Sequence, residues 1–407
     1  MRQQSIAIAY DCLFPLSTGG GERQYRGFAE ELHRLGFDVD YLTTSQWDDE
    51  PPQNTEFSVV PVTGRLALYD QQGVRRPAAA LGFAWGLFRG LVRRRRQYRA
   101  VIVSALPVLN VFAARLALCG SGTTVIVDYL EVWGAQQWRE YSGVVMGTVA
   151  WVLQKLAILL SPHATCHSQL SATRLRAEGL RSVPLVSPGL IDSTSVAGFT
   201  EKSADPPYVL YAGRHISDKR VEALPSAVKR ARQTIPDLKL VVLGTGQTTP
   251  LIRAEVARAE GNSWTELPGF VSQEELDNLM SRAVCLANPS KREGYGLVVV
   301  EAAAHGTPVV LVNDEGNAST ELVTDDVNGF VAATANPSDL ASSIIASVRG
   351  GAELRRRTRS WYEEAITSRT IERTVSRIVE VIGAPGSALN DAHPSRRIRR
   401  AAEEGRP

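Results

Sequence analysis

Short apolar runs alternate with longer amphipathic stretches along the first half of the chain. Ile6–Tyr10 and Val39–Thr43 read as strands, and Ala100–Val103 and Thr124–Asp128 repeat the pattern. Between the first two, Glu22 to Leu35 carries helical periodicity, entered from a loop at Pro15–Gly21 and closed by Gly36. Such alternation predicts a parallel sheet with helices on both faces. The chain then reaches Ser187–Asp192, a plausible hinge, and a polar, Pro-containing stretch that places a domain boundary near 190–206. The strand pattern restarts at Tyr208–Gly213 and continues through Leu240–Leu243 and Pro308–Val312 to a helix near Leu340–Val348. No internal repeat is visible, yet two similar sheet domains are expected, at 1–200 and 201–367.

The stretch from Pro289 to Val310 concentrates the chemistry. Glu293 stands in a loop broken by Gly294 and Gly296, and Glu301 follows eight positions later inside a helix predicted for Leu297–His305. Gly306 and Pro308 end that helix. Amides near Gly294–Leu297 can face an anion, because a helix N-terminus leaves N–H groups unpaired. Glu301 has Val298, Val299, Val300, Ala302, Ala303 and Ala304 as neighbours, so it is expected to be buried. A buried carboxylate needs hydrogen bonds. Ligand hydroxyls would supply them, and so would a buried arginine. A nucleotide sugar, with its diphosphate at the helix start and hydroxyls on either side, fits this spacing.

Further candidates stand at other strand ends. Ser17-Thr18-Gly19-Gly20-Gly21 forms the first strand-to-helix turn, where open α/β sheets bind ligands. A plain flexible turn would carry the same residues. Asp128, Glu131 and Trp133 crowd the end of Val125–Val127. Arg214 and Lys219 follow the strand Tyr208–Gly213, where two cations can grip a diphosphate or pair with Asp218. Leu243-Gly244-Thr245-Gly246 ends a strand in GxG, a weak nucleotide signal alone.

Together these segments resemble the family-4 glycosyltransferases, retaining enzymes of the GT-B fold with an E-x7-E motif. The match rests on EGYGLVVVEAAAHGTPVV with the preceding Pro289-Ser290, and the resemblance covers most of residues 5–382. It implies an α/β GT-B architecture, two Rossmann-like parallel-sheet domains facing a cleft, with residues 368–382 as a final helix crossing back to the first domain. It also implies a metal-independent transfer of a sugar from a nucleoside-diphosphate donor to an acceptor hydroxyl on a glycan, a lipid-linked acceptor or a small glycoside. By the same resemblance Glu293, Arg214 and Lys219 act on the reacting diphosphate sugar. Gly20, Gly21, Gly213, Gly294, Tyr295, Gly296 and Leu297 line the donor, Glu301 holds the ribose, and Phe270 and Val271 lie near the base. Asp128, Tyr129 and Glu131 fall on the acceptor side. Two departures stand out: relatives carry His where this chain has Leu130, and often Gly where it has Arg220. Two other readings stay open: a GT-B sugar-nucleotide epimerase, with Asp128 and Glu131 as candidate acid–base residues, and a non-catalytic partner subunit, for which Leu130 in place of His is the motive.

Composition narrows the partners. Net charge is only +2 over 407 residues, which gives no footprint for nucleic acid. The four cysteines form no CxxC pair and the chain opens on a strand rather than a leader, so a cytoplasmic protein is expected. His163 and His167 flank Cys166 without a fourth ligand nearby, and no metal or other cofactor is expected. Pro77–Val92, followed by four arginines, and Gly143–Leu160 are short or polar for a membrane span. They read as amphipathic core helices, or as a basic, apolar edge resting on the anionic inner face of the plasma membrane. Residues 383–407 are polar and Arg-containing, and are expected to be disordered.

Overall fold

The computed structural model describes residues 5–17, 19–48, 50, 52, 56–68, 75–192 and 198–383. The tail expectation therefore lies outside the described residues. Two parallel sheets carry the fold. The first is built from β1 (Ser5–Ala9), β2 (Asp38–Thr44), β3 (Ser58–Thr63), β4 (Ala100–Ser104), β5 (Thr124–Tyr129), β6 (His163–Cys166) and β7 (Leu185–Val186). Their order is β3-β2-β1-β4-β5-β6-β7. The second contains β8 (Tyr208–Ala212), β9 (Lys239–Leu243), β10 (Thr265–Gly269), β11 (Cys285–Asn288), β13 (Val309–Val312) and β15 (Gly329–Ala332), in the order β10-β9-β8-β11-β13-β15. A small parallel pair, β12 (Arg292–Glu293) and β14 (Gly316–Asn317), stands apart beside the second sheet. Both sheets repeat one winding. Each starts centrally, runs outward to one edge, then crosses back to the other. The topological switch falls between β1 and β4 in one sheet and between β8 and β11 in the other, and crevices for ligands open at such points.

Period-two alternation explains the layers. Ile6 and Ile8 face one side of the first sheet, while Ala7 and Ala9 face the opposite side with Leu42, Val101 and Val103. The Ile6 side is continuous with the Leu210, Leu286 and Leu311 side of the second sheet, so one core runs through both. The final helix, Ile371–Ile382, seals it. Its Val375, Ile378, Val379 and Ile382 are buried, and Ile371 comes so close to the first helix that a methyl on Gly27 would lie 2.7 Å from it. The two chain crossings run side by side, with Ile191 accepting from Ile371 and donating to Arg369.

Several boundaries move. The first helix is Gly20–Arg34, so Gly20 and Gly21 form its first turn rather than a loop before it. The helix near Leu340 extends over Pro337–Ser368, broken at Gly351, and beyond the break Arg355 binds the carbonyls of Thr200 and Ala283 at 2.9 and 2.7 Å. Among the described residues, no helix is long and apolar enough to cross a membrane.

Candidate active site

Both switch points open onto one cleft, and the elements around it touch. A methyl built on Gly20 would lie 3.5 Å from Leu297 across the cleft, and one on Gly21 would lie 3.1 Å from Leu130. Gly294 faces the Leu130 carbonyl and Glu131, where a methyl would meet them at 2.3 and 2.8 Å. Only glycine allows that approach. Gly296 has φ +97°, a left-handed conformation that turns the chain from β12 into the helix Leu297–Ala304.

Glu293 is the centre of this arrangement. It pairs with the Lys219 ammonium and accepts from Asn288 Nδ2 and Ser290 Oγ, both at 3.0 Å. Burial alone would raise its pKa. The Lys219 charge and these hydrogen bonds outweigh burial and hold Glu293 below the usual carboxylate range. Lys219 sits in a 3-10 turn, Ser217–Lys219, and Arg214 stands exposed at its approach. Arg220 then adopts φ +47°, the left-handed region, which is why glycine suits that position. Its guanidinium offsets the strain by donating to the Pro289 carbonyl at 2.9 Å and pairing with Asp314 at 3.0 Å.

The structure corrects the burial expected for Glu301. Leu297, Val298 and Glu301 share one helix face, and that face looks into the cleft, while Val299, Val300 and Ala302–Ala304 face the core. Glu301 is about a third exposed (35%) and pairs with Arg23, which reaches across from the first helix. Sequence reasoning missed Arg23, although it lies one turn beyond the glycine triplet.

The acceptor-side candidates divide. Glu131 stays at the cleft, facing Gly294 and accepting from the Trp133 indole at 2.6 Å. Burial raises its pKa, as does the nearby Glu293 charge. Asp128 and Tyr129 leave the site. Asp128 is fully buried and accepts from Gln24 at 2.9 Å and Tyr25 at 2.7 Å, with Thr165 and His167 as further partners. Tyr129 points to the opposite face of the sheet and bonds Ser161 at 3.0 Å. Successive strand residues point to opposite faces, and neither of these two points outward. Tyr295 is likewise turned away, its hydroxyl accepting from Leu190 N at 3.3 Å in the hinge, which leaves only its backbone near the donor loop. Gly213 is exposed at the end of β8, and Phe270 (73% exposed) and the half-buried Val271 stand at the end of β10. Leu130 stands at the cleft against Gly21.

Further contacts at the cleft involve Lys291, Arg292, Glu140 and Glu321, which sequence did not suggest. Arg292 pairs with Asp218 and lays its guanidinium 4.3 Å from the Trp133 ring, and Lys291 pairs with Glu140 at 2.7 Å. Glu321 accepts from the amides of Gln169 and Leu170, both at 2.8 Å, at the start of the helix Gln169–Ala177. Elsewhere His167 is buried on Ser187 and Asp128, and His163 is exposed. Among the described residues no three His, Cys, Asp or Glu side chains are grouped as metal ligands.

Two facing sheets with a shared cleft define the GT-B fold, and comparison with known proteins supplies the class of enzyme. The model for "Glycosyl transferase 4-like domain" matches residues 19–187, and that for "Glycosyl transferases group 1" matches residues 196–363. The chain belongs to this glycosyltransferase family. The glycogen synthase of Mycobacterium tuberculosis is 26% identical over 375 residues, covering 85% of this chain and 86% of that relative. Among solved structures, sucrose-phosphate synthase from Thermosynechococcus elongatus superposes with a TM-score of 0.78 at 17% identity, covering 93% of this chain and 98% of that one. Anabaena HepE, solved with UDP and glucose, gives 0.69 at 16% identity over 94% and 100%.

Proposed function

We propose that this glycosyltransferase is a retaining enzyme that moves a sugar from a nucleoside-diphosphate donor to an acceptor hydroxyl. The observation that carries the reading is the pairing of Lys219 with Glu293 just before the Gly296–Leu297 helix start, with Arg214 exposed on the loop that leads to Lys219. As the sugar–phosphate bond breaks, negative charge grows on the leaving diphosphate. Fixed cations and amides aimed at it lower the barrier without reorganising. The same charges can do the work of a divalent metal, so transfer is expected to survive its removal. Glu293, held ionised by Lys219, positions that ammonium and stabilises positive charge developing on the sugar. Retention then follows from a front-face reaction in which the leaving phosphate takes the acceptor's proton. Of the epimerase's two candidate bases, Asp128 is enclosed by four partners, which weakens that alternative.

A screen of UDP-, GDP-, ADP- and dTDP-sugars, with and without EDTA, tests the proposal. Binding and slow, EDTA-insensitive release of nucleotide from one donor is the expected result. Failure to bind any of them would favour a non-catalytic partner subunit and single out Leu130→His as the first variant to make. If Glu301 holds the ribose, Glu301→Ala weakens nucleotide binding by about 1–2 kcal/mol in calorimetry. An unchanged affinity would remove Glu301 from that role.

A further inference from the structure

We infer that the outer helical face of the first sheet domain docks on an anionic lipid bilayer. Three helices, Pro77–Arg94, Leu109–Ala117 and Val144–Leu160, pack their inner sides into one core on a single face of the sheet. Their outer sides are apolar too. Leu81, Trp85 and Val92 form an exposed stripe on the first helix, and Val149, Val152 and Leu156 form one on the third. Exposed apolar stripes of this kind mark a contact with something other than water.

Charge identifies the occupant. None of the three helices contains an Asp or Glu, in a chain where 43 of 407 residues are acidic. Arg89 and Arg93 lie one helical turn apart directly beside the Leu81–Trp85–Val92 stripe, Arg96 follows in the turn after the helix, and no ion pair engages the three among the described residues. Long basic side chains next to apolar ones suit the boundary between acyl chains and anionic headgroups. A second copy of the chain would set these arginines against each other across a two-fold axis, which like charge opposes.

A cavity of about 360 Å³ adjoins the stripe, between the β3 edge at Pro61 and Val62 and the helix at Gly86 and Gly90. Arg89, Arg93 and Arg94 rim it. Its position and charge suit a lipid headgroup phosphate. The apolar face also reaches the cleft. Val144, Val145 and Met146 are exposed immediately after the helix Ala135–Ser142, whose Glu140 pairs with Lys291 of the donor loop. Docking therefore brings the cleft to headgroup level. If the transferase reading holds, on which this last step rests, the acceptor hydroxyl belongs to a membrane lipid.

Co-sedimentation of the full chain with phosphatidylcholine vesicles, with and without phosphatidylglycerol, tests the inference. Binding is expected only to the anionic vesicles and is reversed by salt. The double variant Arg89→Glu/Arg93→Glu and the triple variant Val149→Ser/Val152→Ser/Leu156→Ser are each expected to lose at least tenfold in vesicle affinity. Their nucleotide affinity and thermal midpoint, measured without lipid, should match the parent and show that they fold. No sedimentation with anionic vesicles at low salt would overturn the inference. So would undiminished binding by both variants, or a solution dimer abolished by the triple variant. Vesicle binding without affinity for any nucleotide sugar would leave the docking surface standing and remove the transferase reading alone.

Discussion

Asp128→Ala is expected to destabilise the protein by about 3–5 kcal/mol while leaving the nucleotide affinity of the folded fraction unchanged. The side chain is wholly enclosed, and four groups from two parts of the fold converge on it: Gln24 and Tyr25 from the first helix, Thr165 from β6, and His167 just beyond it. Truncation takes the shared acceptor away from this buried set, although Gln24 and His167 keep each other at 2.8 Å, and removal of one member of a buried charged set costs about this much. The pH dependence follows from the same geometry. Burial would raise the Asp128 pKa, but His167, Thr165 and Tyr25 together hold it below the usual value. A depressed carboxylate pKa stabilises the fold above the unfolded-state value of about 3.9, and that contribution disappears as pH falls through the folded-state value. Chemical denaturation at pH 7 checks the magnitude, and melting curves between about pH 2 and 5 should show the variant losing less stability on acidification than the parent. A marginal effect on stability with a large effect on donor binding would return Asp128 to the site.

That case shows what the sequence could and could not disclose. Strand ends and glycine turns located the cleft, because a switch point is a property of element order. The side to which a strand-end residue points was not legible. Asp128, Tyr129 and Glu131 lie within four positions, and only Glu131 reaches the cleft. Glu301 shows the same limit in a helix. Its neighbours are apolar, yet Leu297, Val298 and Glu301 share a face, and the apolar residues around the carboxylate made an open position look buried. β3 escaped notice because it is an edge strand, half-exposed, with Pro61 interrupting its pattern. The pairs Arg23–Glu301 and Lys291–Glu140 join residues from opposite sheets, and nothing local announces them. Arg220 is the reverse case. Its departure from glycine was visible, and the left-handed turn gives the reason.

Lys219→Met is expected to lower turnover by about 10²–10³-fold. Lys219 is the cation paired with Glu293, and losing one preorganised group that stabilises developing charge typically costs this much. The substitution also strands Glu293, which would keep Asn288 and Ser290 but lose its counter-charge. An uncompensated, largely enclosed carboxylate destabilises by about 3–5 kcal/mol. Low activity could then arise from unfolding alone, so the double variant Lys219→Met/Glu293→Gln decides the matter. Glutamine removes the stranded charge while keeping an acceptor for Asn288 and Ser290, so stability should return towards the parent's. Activity should not return, because the lysine's positive charge facing the leaving diphosphate is still missing. Glu293→Gln alone leaves Lys219 in place and should retain diphosphate affinity while losing turnover. It should also flatten the acid limb of the stability curve, because the depressed Glu293 pKa contributes stability above the unfolded-state value of about 4.3 and loses it as pH falls through the folded-state value. Steady-state kinetics alongside urea titrations of the three variants separate these effects. Recovery of both stability and activity in the double variant would reduce Lys219 to a structural counter-ion and shift the work on the diphosphate to Arg214 and the helix start.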